Sequence, residues 1–295
     1  MTSHALTIDL EDWHQMFRRL LSYPMGPPSP EVAVATHGLL DLLDASDVKA
    51  TFFVVGLLAQ SRPELVREIA RRGHEVGSHS HEHRRVYTMK RDAFVLEMRD
   101  TRHALQDLSG QPVFGFRAPE FSVKSLDHWC FEALAEVGFT YDSSVFPTRA
   151  RYGIQGAPWR PFLHDTKSGP MAEFPLATWA LGKSSVRIPV AGGSYYRLLP
   201  AAFLRRALAS LDNEETSATL YFHPYEFQPG WLHLTGLSLR DQLRPAYLKY
   251  LVLHNLFTSR IRTRLAPLLT GFRFIRLDQL QRELFPHIGA GGGVA

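Results

Sequence analysis

Two histidines four residues apart, His79 and His83, have the residue type and spacing to bind one metal ion. They lie in the run Gly77-Ser78-His79-Ser80-His81-Glu82-His83. On a helical turn, side chains at positions i and i+4 share one face, with Cβ atoms roughly 5 to 6 Å apart. That separation suits two imidazole nitrogens that share a cation. His81 points away from this face on such a turn, so we expect it not to be a ligand.

Three carboxylates follow the first apolar segment, in the run Thr7-Ile8-Asp9-Leu10-Glu11-Asp12-Trp13. One of them can complete a His/His/carboxylate metal site, and another can act as a general base. Zinc in catalytic sites keeps three protein ligands and an open position for water, whose pKa falls to roughly 7. A solvated acidic loop or a helix N-cap is the alternative explanation of the cluster.

Candidate chemical residues recur at the carboxyl ends of predicted strands: Asp9, His79, Arg117, Asp142 and His223. In parallel α/β barrels, catalytic groups gather at the C-terminal rim of the strands, so five strand ends can converge on one pocket. Taken singly, Arg117 is also explained by a salt bridge, and His223 by a hydrogen-bonded position in the core.

The order of segments predicts an α/β fold. Short apolar segments predict strands at residues 5–10, 49–55, 75–77, 113–117, 139–142, 218–222 and 272–275. Amphipathic segments predict helices at residues 31–45, 63–72, 90–108, 126–137, 201–211, 239–253, 258–269 and 277–284. Residues 144–193, rich in Pro, Gly and aromatics, predict long ordered loops with short strands. The alternation over the first part of the chain is typical of a parallel sheet covered by helices.

Composition narrows the classes of protein. The 295 residues are 45% hydrophobic and 21% charged, which is typical of a globular protein with a full core. The single cysteine, Cys130, excludes an internal disulfide and a multi-cysteine metal site. Asp9 interrupts the first apolar stretch, and no run reaches the length of a membrane span, so we expect a cytoplasmic location.

The net charge of +4 is unevenly distributed. From Gly236 onward, nine Lys or Arg residues stand against three acids. This basic region suits weak contact with a membrane surface through an interfacial helix over residues 247–257, or packing on the barrel or on a second subunit. No recognised nucleic-acid motif accompanies the charge, so we expect no nucleic-acid partner.

Seven segments, in order, resemble the polysaccharide deacetylase family with the NodB homology domain, of the carbohydrate esterase family 4 type. They are Asp9-Leu10-Glu11-Asp12-Trp13, Ala50-Thr51-Phe52-Phe53-Val54, Gly77-Ser78-His79 with His83, Phe116-Arg117-Ala118-Pro119, Tyr141-Asp142-Ser143-Ser144, Glu173-Phe174-Pro175 and Leu220-Tyr221-Phe222-His223-Pro224. Ala191-Gly192-Gly193-Ser194-Tyr195-Tyr196-Arg197 and His254-Asn255-Leu256 are similar to the subgroup associated with exopolysaccharide and exosortase gene sets.

The resemblance implies a distorted, incomplete (β/α) barrel and a metal-dependent hydrolysis of N-acetyl groups on N-acetylhexosamine units of a polysaccharide or a lipid-linked glycan precursor. It implies one divalent ion, with zinc favoured over cobalt or nickel, bound by His79 and His83. The third ligand is expected to be Asp12, with Glu11 as the alternative, because the first motif has an unusual Asp9-x-Glu11-Asp12 spacing.

The same resemblance implies a role for each remaining site residue. Asp9 is expected to be the general base, Arg117 to orient it, and His223 to be the general acid. Asp142 lies near the position from which an acid steers that histidine.

The chain is expected to comprise a NodB-like deacetylase domain over residues 1–235, a basic and mainly helical extension over residues 236–287, and a disordered tail over residues 288–295. Two other functions stay open. One is a metal-independent cyclic-amide hydrolase of the allantoinase type, and the other is a non-catalytic glycan-binding member of a polysaccharide assembly complex. Oligomers are compatible with the sequence.

Overall fold

A computed structural model places most of the chain. The residues that it describes are 1–23, 26–149, 152–180, 187–228, 230–234 and 237–288. The strands are β1 Ser3–Leu10, β2 Thr51–Val54, β3 Glu75–Ser78, β4 Gly115–Phe116, β5 Tyr141–Asp142, β6 Phe162–His164, β7 Met171–Glu173, β8 Thr178–Ala180, β9 Arg187–Pro189, β10 Thr219–Phe222 and β11 Arg273–Ile275.

Helices occupy most of the connections. They are α1 Trp13–Leu20, α2 Glu31–Ala45, α3 Gly56–Ser61, α4 Pro63–Arg71, α5 Arg91–Ser109, α6 Cys130–Glu136, α7 Gly193–Leu198, α8 Ala201–Asn213, α9 Leu239–Gln242, α10 Pro245–Asn255, α11 Ser259–Gly271 and α12 Leu277–Leu284. None of the helices in the described ranges is both long and apolar enough to cross a membrane.

The main sheet has the strand order β10-β1-β2-β3-β4-β5-β7-β6. All neighbours from β10 to β7 are parallel, and only β6 runs antiparallel to β7. The outer edge of β10 has no neighbouring strand among the described residues. It is met there only by two single bridges, Leu176 to Thr219 and Gly192 to Tyr221. The sheet is therefore an incomplete parallel barrel, as the sequence predicts.

The first strand, β1, has three partner strands in this sheet. All eight of its residues are buried, and it pairs with β10, β2 and β11 at different points along its length. A strand that is covered on both faces reads as a continuous apolar run, which explains Ala5, Leu6, Ile8 and Leu10. Its buried polar residues are Ser3, His4, Thr7 and Asp9, of which Asp9 lies near the C-terminal end of β1.

The C-terminal extension is more than a helical appendage. Its strand β11 pairs with the start of β1, and Leu277 and Leu280 of α12 pack with Phe53 and Tyr141 in one buried cluster. Removing this region would expose an edge of the central strand and part of the core. The tail predicted to be disordered lies, apart from Ile288, outside the described residues.

The helix predicted at residues 239–253 is divided in two. α9 ends at Gln242 and α10 begins at Pro245. Proline lacks a backbone N–H and disfavours helical geometry in the residue before it, so it belongs at the first turn of a new helix. The sequence contained this signal, and the single predicted helix was wrong.

His74, which precedes β3, makes the fold sensitive to acid. Its Nδ1 accepts a hydrogen bond from the backbone N–H of Ala50 at 3.1 Å, which requires an unprotonated nitrogen. Burial, reinforced by the charge of Lys49, lowers the pKa of His74 to about 4. The neutral ring therefore belongs to the folded state.

We expect the stability that His74 contributes to be lost as the pH falls from 6.5 towards 4, because the unfolded chain then binds a proton that the folded chain excludes. Relative to a His74→Gln variant, the wild type should lose about 2 to 3 kcal/mol between pH 7 and pH 4. Urea unfolding of both proteins across this pH range measures the difference. A constant difference would contradict the assignment.

Candidate active site

Glu11, His79 and His83 form a compact cluster at the C-terminal end of neighbouring strands. One nitrogen of each histidine and one carboxylate oxygen lie within 4.8 Å of one another, and all three residues are buried. Nε2 of His83 is 2.8 Å from Oε2 of Glu11, and Nε2 of His79 is 4.0 Å from the same oxygen. Within the described residues this is the only such cluster with metal-ligand chemistry.

The two histidines meet on a loop, not on the helical turn that their spacing suggested. His79 directly follows β3, and the backbone turns through Ser80 and His83, whose φ angles are +61° and +55°. Such left-handed angles are uncommon for residues with a Cβ and persist where the surrounding structure holds them. Arg19 of α1 donates a hydrogen bond to the carbonyl of His83 and holds the loop.

His81 points away, as expected. Its ring packs against Gly56, where an added Cβ would come within 2.4 Å of Nδ1 of His81.

The donor set suits a divalent cation. Nδ1 of His79 lies 2.8 Å from the carbonyl oxygen of Arg117, to which it can only donate, so its Nε2 keeps a free lone pair. Burial lowers the pKa of His79 to about 4, which also favours the neutral ring. Burial alone would raise the pKa of Glu11, but His83, followed by His223 and His79, lowers it to about 2. Two imidazoles and one carboxylate match the ligand types of catalytic zinc sites.

The structure corrects the choice between the two carboxylates. Both oxygens of Asp12 are occupied by Ser29, at 2.8 Å from its backbone nitrogen and 2.8 Å from its hydroxyl. Asp12 also caps α1 by accepting from the N–H of His14. The residue expected as third ligand is thus the helix N-cap, and Glu11, the alternative, faces the histidines. Sequence alone could not show where β1 ends and α1 begins.

Asp9 and Arg117 form a buried ion pair beside this cluster. Nη1 of Arg117 donates to Oδ1 of Asp9 at 2.8 Å, and Arg117 is fully buried. The same Nη1 donates to Thr7, while Nε and Nη2 donate to the backbone and hydroxyl oxygens of Ser143. The guanidinium also lies over the ring of Phe53, with its carbon 4.3 Å from the ring centroid. These contacts fix the orientation of the Asp9 carboxylate.

Asp142 does not occupy the position expected of it. It accepts hydrogen bonds from the hydroxyl and backbone N–H of Ser144, whose hydroxyl oxygen in turn accepts from Ala118. Burial raises the pKa of Asp142 well above its ordinary value, and Glu173 raises it further. Asp142 therefore supports the strand end that carries Arg117, and the prediction that it steers His223 was wrong.

The carboxylate that faces His223 is Glu226. Its Oε2 lies 3.5 Å from Nδ1 of His223 and accepts the backbone N–H of His223 at 3.0 Å. On the other side of the ring, Nε2 of His223 is 3.4 Å from Oε1 of Glu11. Burial would lower the pKa of His223, but Glu226 and Glu11 together raise it to about 9. His223 is thus held protonated, with Nε2 directed towards the cluster.

Residues from the second half of the chain surround Glu226 and His223. A Cβ added to Gly193 would come within 2.1 Å of Oε1 of Glu226, so only glycine leaves room for this carboxylate. Tyr225 stacks on His223 with ring centroids 4.8 Å apart, and His254 of α10 lies against Tyr225. Arg197 donates to the carbonyls of Leu253 and His254 and fixes the end of α10.

Sequence reasoning missed Glu226, although a signal existed. Glu226 stands three residues after His223, with Pro224 at the first position of the turn Pro224–Phe227. This is the spacing of a capping box, in which the side chain at the third position returns to the residue that opens the turn.

Family models match nearly all of the chain. Residues 19–141 match the model described as polysaccharide deacetylase, and residues 143–282 match a domain of unknown function, DUF3473. The second model is typical of the exopolysaccharide-associated subgroup. His79, His83 and Arg117 fall in the first match, whereas His223 and Glu226 fall in the second.

Curated relatives are similar to part of the chain. A chitin deacetylase from Colletotrichum lindemuthianum is 33% identical over 124 residues, which cover 40% of this chain and 47% of that protein. The chain spans less than half the length of this and other curated relatives that it matches.

Solved structures share the fold. The crystal structure of a putative polysaccharide deacetylase from Mycobacterium smegmatis superposes with a TM-score of 0.60 at 18% identity, over 97% of this chain and 92% of that one. Puue allantoinase gives a TM-score of 0.60 at 15% identity, over 96% and 91% of the two chains. At these identities the structures show a shared fold. The family match shows that residues 19–141 form a polysaccharide deacetylase domain.

Proposed function

We propose that this protein is a metal-dependent hydrolase that removes N-acetyl groups from N-acetylhexosamine units of a polysaccharide or a lipid-linked glycan precursor. The family match supports polysaccharide deacetylation. The observation that carries the proposal is the convergence of three sets of groups at one rim. They are a ligand cluster, a carboxylate fixed by a buried arginine, and a protonated histidine.

Glu11, His79 and His83 are the residues that would hold the metal, most favourably zinc, with cobalt and nickel as alternatives. When bound, such a cation polarises the acetyl carbonyl and lowers the pKa of water. The hydrogen bond from His79 to the carbonyl of Arg117 sets the ring orientation and directs Nε2 at the site.

Asp9 is proposed as the general base that removes a proton from the attacking water. Its Oδ1 is engaged by Arg117, which leaves the second oxygen, Oδ2, for the water. A base must be held within hydrogen-bond reach of the proton that it abstracts, and Arg117 provides that positioning.

His223 is proposed as the general acid. Amide hydrolysis yields acetate and a free amine only if the departing nitrogen receives a proton. Nε2 of His223 faces the cluster, and Glu226 lies behind Nδ1 at 3.5 Å. A carboxylate in that position orients the ring and stabilises its charged form.

An allantoinase-type activity fits the fold equally well, because both kinds of protein superpose with the same TM-score. The buried Glu11, His79 and His83 set favours the metal-dependent reaction over the metal-independent one. A purely glycan-binding role has no need of the Asp9–Arg117 pair. The cytoplasmic location stays a prediction from the sequence, as does a role in exopolysaccharide biosynthesis.

Glu11→Gln should weaken zinc binding by at least about a hundredfold, because the charged ligand is replaced by a poor amide donor. Asp12→Asn is the matched control, since asparagine caps a helix as well as aspartate does, and it should keep the metal. Chelator competition and metal analysis after dialysis measure both variants. Loss of metal from the Asp12 variant alone would restore the original ligand assignment.

Asp9→Asn should lower kcat for acetate release from N-acetylglucosamine oligomers by about 10²- to 10⁴-fold, because the base is lost. The amide oxygen can still accept from Arg117, so the fold and the metal content should be unchanged. Retention of more than a tenth of the activity in a zinc-loaded variant would remove Asp9 from this role.

Glu226→Gln should lower kcat by about 10- to 100-fold with little change in KM, because His223 loses its orienting charge while the substrate site stays intact. Gly193→Ala should have a similar effect, since its Cβ would displace the Glu226 carboxylate. Asp142→Asn should cause a much smaller loss. Steady-state kinetics on the three variants show which carboxylate orients His223. A larger loss of kcat in the Asp142 variant than in the Glu226 variant would favour Asp142.

A further inference from the structure

We propose that the outward side of α9 and α10, together with Trp231, binds an anionic membrane surface. Three of its apolar side chains are largely exposed: Leu239 at 78%, Leu243 at 72% and Trp231 at 69%. Leu248 and Val252 of α10 and the following Phe257 are also exposed. We call these six residues the apolar face. Grouped exposure of large apolar side chains marks an interaction surface, whereas scattered ones need no explanation.

The geometry of α10 keeps this face outward. Its buried residues are Tyr247 and Asn255, and Tyr247 packs edge-on against Phe17 of α1 with ring centroids 5.3 Å apart. Asn255 exchanges hydrogen bonds with the backbone of Leu232. Leu248 and Val252, at positions i and i+4, share one side of this anchored helix, and both are exposed.

The charges beside the apolar face favour an anionic membrane as its partner. Arg240, Lys249 and Arg260 are exposed beside the apolar face, and the guanidinium of Arg260 lies over the ring of Phe257 at 3.7 Å. The only acid between residues 239 and 260 is Asp241, which is already engaged by Tyr23 and Ser238. Two copies of this face would bring like charges together, whereas anionic lipid headgroups complement them. Trp and Phe are also suited to the membrane interface.

The apolar face is close to the proposed site. α10 carries His254 on its inner side, His254 contacts Tyr225, and Tyr225 stacks on His223. A glycan attached to the membrane surface would thus be presented beside the acid of the site. This last step rests on the proposed function, whereas membrane binding itself does not.

Flotation with vesicles tests the proposal in the full chain. We expect binding to vesicles of phosphatidylcholine with phosphatidylglycerol, weaker binding to phosphatidylcholine alone, and loss of binding as salt rises. The double variants Leu243→Ser with Val252→Ser and Arg240→Gln with Lys249→Gln should each lower the partition coefficient by at least about tenfold.

The matched control replaces two apolar residues that are exposed elsewhere, Val34 at 60% and Leu96 at 58%, with serine. It should bind vesicles as the wild type does. Failure of the wild type to float with anionic vesicles, or an equal loss in this control, would overturn the proposal. Sedimentation that showed a dimer abolished by the same face variants would assign the face to a second copy instead.

Acetate release from a soluble oligosaccharide separates this proposal from the proposed function. All face variants should retain the wild-type rate, because none of the substituted residues touches the site. Membrane binding without acetate release would leave the surface in place and remove the activity. Acetate release without membrane binding would support the activity and remove the membrane surface.

Discussion

The buried guanidinium of Arg117 is the constraint on which the site depends. A fully buried cation without partners would cost several kcal/mol, so each of its donors must be met. Asp9 and Thr7 come from β1, Ser143 follows β5, and Phe53 of β2 lies under the plane of the guanidinium. Three strand ends are thereby brought into one arrangement, with Asp9 fixed at its centre. The carbonyl of Arg117 extends this arrangement to His79.

Much of this arrangement could be predicted, because it follows from strand periodicity. β1, β2, β3 and β10 were found from apolar runs, and Asp9, His79, Arg117 and His223 were correctly placed at their ends. Parallel strands turn such positions towards a common rim regardless of the details of the loops. The two assignments that failed turn on which carboxylate a loop or turn brings to the site. Choosing Glu11 over Asp12 requires knowing the turn between β1 and α1. Choosing Glu226 over Asp142 requires knowing how the chain between them folds. Periodicity carries no information about either.

The match of residues 143–282 to a domain of unknown function has a structural counterpart. This half supplies His223, the Glu226 that faces it, and Gly193, which leaves space for that carboxylate. It also supplies β11 and α12, which cover the start of β1 and part of the core. The ends of β1 to β4 therefore carry the proposed ligands and base, whereas the proposed acid comes from the second half of the chain. Through β11 and α12, the extension expected over residues 236–287 packs against the barrel.

The charged groups of the site form two separate sets, the Asp9–Arg117 pair and the groups around Glu11. Asp9 is paired directly with Arg117, so the charged partner of the proposed base is separate from the ligand cluster. Glu11 is instead surrounded by three imidazoles and bonds most closely to His83. Its low pKa requires positive charge on that side of the site, which either a protonated histidine or a cation can provide. Glu226 gives His223 a carboxylate of its own on the Nδ1 side of the ring, apart from the ligand cluster. This separation of partners lets the proposed ligands, base and acid lie together at one rim of the barrel.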